Sequence, residues 1–386
     1  MLRNPSFVII TYFVLVFFYF SQSFIWGEEN SIGRPALMII MSVNVFYMIK
    51  CICDQRLTTN LSKALVIFVL INFLYYIFGD YFLMNVPPQK SFQIFKTVLL
   101  STTCFFPLYF WTSRGYRIES LICILALAYF LVIYISGIIN PKGQNVVDNM
   151  GYYYLNFIPF LFLIKGKVYF KILLCLGLNV LIITCAKRGA IITATLVDVI
   201  FFNYIYRSKQ ISGGCLTKIW MLILIVCAGI YAWQEFQANS FVLERFTALQ
   251  HGNSSGRDII YENLWNNWCN NYDFIQQIFG GGFCKSPQFN NGLFAHNDWL
   301  ELLTDLGIIG VISYILVIVN MFRISFIPNN KATKYCILTI SVIWFTKTLF
   351  SMSYLDENNF ILMLLLGMMT AKTKIENYET KKIAFG

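Results

Sequence analysis

Long apolar runs alternate with short polar ones from one end of the chain to the other. An α-helix needs about 17–25 residues to cross the hydrocarbon core of a bilayer. Read on that scale, the pattern predicts about twelve helical spans, at roughly 6–25, 33–49, 63–79, 92–111, 119–139, 151–164, 168–185, 189–206, 217–233, 303–322, 333–350 and 358–371. The first run is too long for the apolar core of a secretion signal and has no small-residue cleavage site, so it reads as a span. The sixth is short and contains Pro159, which predicts a broken or tilted segment. One polar stretch, 234–297, is long. Trp265, Trp268, Phe274, Ile278 and Phe279 are scattered through it, which predicts short helices lying on the membrane surface. The expected fold class is an all-α polytopic membrane protein. It forms a single integral domain over 1–386, with 234–297 as a large extracytoplasmic loop.

Composition supports the pattern. Of 386 residues, 58% are hydrophobic and 12% charged, and the mean hydropathy is +0.62. A soluble domain carries about 25% charged residues. The net charge of +10 would suggest nucleic acid in a soluble protein. Here the cations sit in short loops and alternate in side. Arg3, the Lys50–Lys63 group, Arg114 and Arg117, Lys165–Lys171, Arg207–Lys218, Arg323–Lys334 and the lysine-rich tail share one face. By the positive-inside rule both termini are cytoplasmic and 234–297 is outside. The eleven cysteines contain no CxxC pair, so neither a zinc site nor a disulfide framework is visible. Cys269 and Cys284, the two cysteines of the outer loop, lie where a disulfide is permitted, and the sequence leaves open whether they pair.

The stretch FAHNDWLELLTDLGIIG, Phe294 to Gly310, is where a polar loop becomes an apolar helix. Asp298 followed by Glu301 has capping-box spacing. His296 then stands just before the first turn, at the outer membrane surface, where a neutral imidazole can take a proton from a hydroxyl. The adjacent helix N-terminus favours the neutral ring, while Asp298 and Glu301 favour the cation, so the sequence leaves its pKa open. The plain alternative is an ordinary surface histidine. Lys187 and Arg188, in TCAKRGAIIT, occupy a tight turn on the face that should be poor in cations. Gly189 after them permits close approach, and the plain alternative is snorkelling to headgroups. Arg257, in NSSGRDIIYENLW, falls where Ser255 and Asp258 predict a helix start, a place suited to phosphate, and the plain alternative is an ordinary solvated arginine. Arg245 is a weaker candidate of the same kind, and His251 reads as a solvated loop residue. Gly280–Gly282 precede no GKS/T and read as a turn. Asp298, Glu301 and Asp305 share helical spacing, but capping accounts for Asp298 and Glu301, so no glycosidase carboxylate pair emerges. No metal or cofactor site is expected.

Arginines on the outer face can hold a diphosphate leaving group, and a histidine can deprotonate an attacking sugar hydroxyl. The donor would be membrane-embedded, because nucleotide sugars are not available outside. At this point AHNDWLELLTDLGIIG, AKRGA and SGRDIIYENLW, with a weaker block NMGYYYLNFIPFLF, resemble the O-antigen ligase and polymerase superfamily over roughly 149–325. The resemblance implies a metal-independent inverting glycosyltransferase of GT-C architecture in the bacterial cytoplasmic (inner) membrane. Its donor would be an undecaprenyl-diphosphate-linked oligosaccharide and its acceptor a glycan. A chain-length regulator and a flippase would be functional partners, and nucleic acid would not. It assigns Arg188 and Arg257 to the donor diphosphate and His296 to the base; by their positions in the sequence, Lys187 and Arg245 are expected to join the diphosphate set, with Gly189, Asn297, Asp298 and Glu301 in support. It does not separate a polymerase of O-antigen or capsule from a ligase acting on lipid A–core or protein; the compact chain leans toward polymerase. A twelve-span transporter remains the alternative. It should carry its conspicuous charges at mid-bilayer; Lys96 and Lys347 lie within spans, but the others lie at the outer edge. A non-catalytic assembly factor would not need His296.

Overall fold

The computed structural model describes residues 3–26, 33–82, 88–140, 147–207 and 256–385, with isolated positions at 229–230, 234, 244 and 247. Arg245, His251, Ser255 and nearly all of the expected span at 217–233 lie outside the described residues. The described chain is helical throughout: α1 (Phe7–Trp26), α2 (Gly33–Cys53), α3 (Asn60–Phe82), α4 (Pro88–Thr103), α5 (Phe105–Ser113), α6 (Glu119–Ile139), α7 (Met150–Leu155), α8 (Val168–Thr184), α9 (Arg188–Arg207), α10 (Arg257–Asn266), α11 (Phe274–Phe279), α12 (Lys285–Phe289), α13 (Asp298–Ser325), α14 (Lys331–Phe350) and α15 (Phe360–Phe385). Among the described residues, seven stretches are long and apolar enough to cross a membrane: α1, α2, α3, α4 with α5 over Ser91–Ser113, α6, α9 and α13. The protein is an all-α membrane protein.

Peripheral helices divide their apolar residues between protein and surroundings. On α6, Ile122, Leu125, Ala126, Tyr129 and Ile133 are buried, while Ile124, Leu127, Leu131, Ile135 and Ile138 face outward. Both faces are apolar, as a helix between protein and lipid requires. The central helix is α15, whose residues Phe360 to Leu366 are buried on every side. It touches α5 so closely that a Cβ on Gly367 would stand 2.2 Å from the Phe105 carbonyl oxygen. Protein surrounds α14 as well, so polar groups are tolerated there. Ser341 and Thr346 return their hydroxyls to the carbonyls of Ile337 and Val342.

The expected sixth span is broken, as Pro159 predicts. It consists of α7 followed by a 3₁₀ turn over Ile158–Phe162, both packed inside the bundle. One charge inside a span escaped the sequence reading: Asp198 of α9 accepts from Asn179 Nδ2 of α8 at 3.1 Å and ties the two helices together.

α13 is interrupted near its head. Gly307 adopts φ 63° and ψ −161°, and a Cβ there would lie 2.4 Å from the Ile278 carbonyl oxygen. The break strips the preceding carbonyls of their helical partners. The glycine run replaces them: Gly281 N–H donates to Thr304 O at 2.8 Å and Gly282 N–H to Asp305 O at 2.9 Å. The Tyr75 hydroxyl takes Leu306 O at 3.2 Å and the Tyr272 hydroxyl takes Thr304 O at 3.0 Å. Gly280–Gly282 is thus a docking strip for a broken helix rather than a simple turn. The open question of a Cys269–Cys284 bridge is answered by the structure, where the two form no disulfide. Cys284 is buried where Asp305 fastens the start of α12, and Cys269 is exposed on the turn after α10.

Candidate active site

Local backbone geometry sets His296 apart from its neighbours. Ala295 before it is fully buried, with its N–H donating to Glu301 Oε2 at 2.9 Å. Asn297 after it caps α13, its Oδ1 accepting from Trp299 N at 3.0 Å and Leu300 N at 3.2 Å. Between these two anchors His296 takes a left-handed φ of 51° and is exposed. This corrects the expected cap: Asn297, not Asp298, occupies the N-cap.

Asp298 and Glu301 turn inward instead. The Asp298 carboxylate accepts from Ser353 N at 3.0 Å and from the Tyr314 hydroxyl at 2.7 Å, which in turn accepts from Trp344 Nε1 at 2.8 Å. Glu301 holds Ala295 N and the Ser286 hydroxyl. Asp305 receives the N–H groups of Cys284, Lys285 and Ser286 at 3.0–3.1 Å. All three carboxylates are buried, with exposures of 0–1%. They fix the loops around His296 and do not present oxygens to a ligand.

The cations come from other helices. Arg257 opens α10, whose N-cap is Gly256 at φ 78° with no side-chain cap bond. That helix start was expected; a Ser255 cap lies outside the described residues. The Arg257 guanidinium donates to the Phe350 carbonyl at 3.0 Å, at the last residue of α14. Lys187 sits in the turn before α9, formed by Ala186 at φ 51°, and donates to Asn149 Oδ1 at 2.8 Å. Arg188, half-buried, is the first residue of α9. Gly189 permits a close approach, as expected: a Cβ there would lie 2.1 Å from the Tyr152 hydroxyl and 2.6 Å from Phe350 Cβ.

His296, Arg257 and Lys187 meet electrostatically. Packing on the protein side of the ring lowers the His296 pKa below the usual 6.5, and the positive charges of Arg257 and Lys187 lower it further. The open question of its protonation therefore resolves toward neutral imidazole at neutral pH. The residues involved stand at the starts of α9, α10 and α13, where helix dipoles add positive potential. The arrangement can accept an anion beside a neutral base. No group of three His, Cys, Asp or Glu side chains able to hold a metal occurs among the described residues.

Two features were not legible. Tyr152 is buried against Gly189, with the ammonium of Lys187 5.8 Å and that of Lys347 5.2 Å from its ring centre. The segment 350–359 binds the site from behind. Lys347 is ion-paired to Asp356 and donates to Asn359 Oδ1 at 2.9 Å, and Asn359 Nδ2 holds the Ser353 carbonyl at 2.7 Å. Lys96 pairs with Glu357 at 2.6 Å. The YYY block and the lysines within spans were the available signals. No family model matches the chain, and no curated protein matches it.

Proposed function

We propose that the protein is a membrane glycosyltransferase that joins lipid-diphosphate-linked oligosaccharide repeat units, a polysaccharide polymerase. The observation that carries this reading is the grouping of His296 with Arg257 and Lys187 at three helix starts. In the reaction the unprotonated ring nitrogen of His296 takes the proton of an acceptor hydroxyl. That oxygen forms a bond to the anomeric carbon of the donor, and the bond from this carbon to the diphosphate oxygen breaks with inversion. The lipid diphosphate leaves carrying the electron pair, and Arg257, Arg188 and Lys187 offset its growing charge. Asn297, Gly189 and the buried Asp298 and Glu301 support these groups from behind.

The donor proposed is undecaprenyl-diphosphate-linked oligosaccharide, used on the outer face of the bacterial cytoplasmic membrane. The architecture proposed is of GT-C type, with twelve spans and both termini cytoplasmic. A reporter fused at Lys209 should read cytoplasmic and one at Asn271 exterior; the reverse at either position contradicts this topology. A transporter is less well supported, because Lys96 and Lys347 are engaged by Glu357 and Asp356.

The test is direct. Purified protein receives a labelled lipid-diphosphate oligosaccharide with either a repeat-unit oligosaccharide or lipid A–core as acceptor. Lengthened glycan with release of lipid diphosphate is the expected result. Transfer to lipid A–core alone makes the protein a ligase, and no transfer to either acceptor overturns the reading.

A further inference from the structure

A cavity of about 550 Å³ lies beside the candidate site. This falls within the range of about 300–1,000 Å³ typical of small-molecule sites. Gln93 and Thr97 of α4 and Gln288 of α12 line it, and most of the remaining wall is apolar, with Phe294, Met352 and Leu355 part of it. Two of these wall segments also build the candidate active site. Phe294 lies two residues before His296 on the same loop. Met352 lies two residues after Phe350, whose carbonyl holds Arg257.

The lining chemistry is neutral. No charged side chain is among the residues lining the cavity. Lys96, the residue before Thr97, is ion-paired to Glu357 at 2.6 Å, and the Thr97 hydroxyl also donates to Glu357, at 3.0 Å. The Gln93 and Gln288 residues are exposed and come from different elements. Each amide offers a donor and an acceptor, the pairing that a sugar hydroxyl needs. Phe294 adds an aromatic surface. A polyprenyl chain would make no use of two amides from separate elements, and a uronate would find no counter-cation in the wall.

We infer that this cavity binds uncharged sugar units of the acceptor glycan, with Gln93 and Gln288 reading their hydroxyls and Phe294 packing against a ring face. The inference rests on the transferase reading for the role of the sugar, and on the cavity alone for its chemistry.

Gln93→Ala and Gln288→Ala are assayed in purified protein with a lipid-diphosphate oligosaccharide donor. The acceptor probes are a neutral oligosaccharide and a uronate-containing one of equal length. Each lost hydrogen bond should raise the KM for the neutral acceptor about fivefold, leaving kcat and donor affinity within about twofold. The uronate probe should be the poorer acceptor with the unaltered protein. An unchanged acceptor KM in both variants overturns the inference, and so does a change confined to donor affinity. A second arm does not need turnover. A photoreactive benzoylphenylalanine replaces Gln288, and the protein is irradiated with the neutral oligosaccharide in polyprenyl-phosphate-containing membranes. A sugar adduct supports the cavity assignment, even in a protein that transfers nothing, where only the transferase reading fails. A polyprenyl adduct, or none, overturns it.

Discussion

At the head of α13 the carboxylates of Asp298, Glu301 and Asp305 turn into the protein, whereas His296, just before them, remains on its surface. The carboxylates lie three and four residues apart, so they share one helix face. That face is the one packed against the loops 280–295 and 350–356, and each carboxylate accepts backbone N–H groups there. The cationic groups near His296 come from the turn before α9 and from α10, far away in the chain. The contrast separates two uses of charge in one small volume. Carboxylates held by buried backbone and hydroxyl donors serve as posts. The histidine and cations those posts leave outside form a surface with positive potential and a neutral base.

The largest effect should come from removing a post. Asp305→Ala leaves three N–H groups at the start of α12 without their acceptor, at a cost of about 3–5 kcal/mol. Thermal unfolding in detergent should show a large fall in Tm, and Asp305→Asn, which keeps an acceptor oxygen, a smaller one. A stable Asp305→Ala protein with lost turnover would make the carboxylate catalytic and erase the contrast.

A smaller effect is expected on the cationic side. Arg257→Lys keeps the charge but cannot both hold the Phe350 carbonyl and engage a diphosphate in a planar fork. Donor affinity should weaken about tenfold, or about 1.4 kcal/mol, with Tm nearly unchanged. Equal donor binding by Arg257→Lys and the unaltered protein would remove Arg257 from the donor site.

The finest test uses pH. A lowered His296 pKa keeps the ring unprotonated at neutral pH, so turnover should be flat there and fall only as pH drops through that lowered value. Lys187→Gln removes one of the charges that depress it. The acid limb should then move to higher pH by a fraction of a unit. A limb that stays in place, or moves down, would separate Lys187 from the imidazole.

Much of this was legible along the chain because membrane spans announce themselves by length. The runs that became α1, α2, α3, α6, α9 and α13 are apolar over a bilayer's thickness. The break at Pro159 and the helix start at Arg257 follow from local backbone rules. What stayed hidden depends on contacts between distant segments. Spacing alone made Asp298 a cap; only the packing of Ser353 and Tyr314 against it shows that Asn297 caps instead. Gly280–Gly282 looked like a turn because its partner, the break at Gly307, lies on another element. The central position of α15 was invisible for the same reason: protein and lipid select similar apolar residues.

The central claim is that His296 is the base that activates the acceptor hydroxyl, and the most direct measurement is on His296→Ala. Transfer rate and donor affinity are determined separately on one purified preparation whose Tm is also recorded. Turnover should fall by about a hundredfold or more, with donor affinity and Tm preserved. If His296→Ala retains most of its transfer rate, or loses it only because donor no longer binds, the base assignment is contradicted.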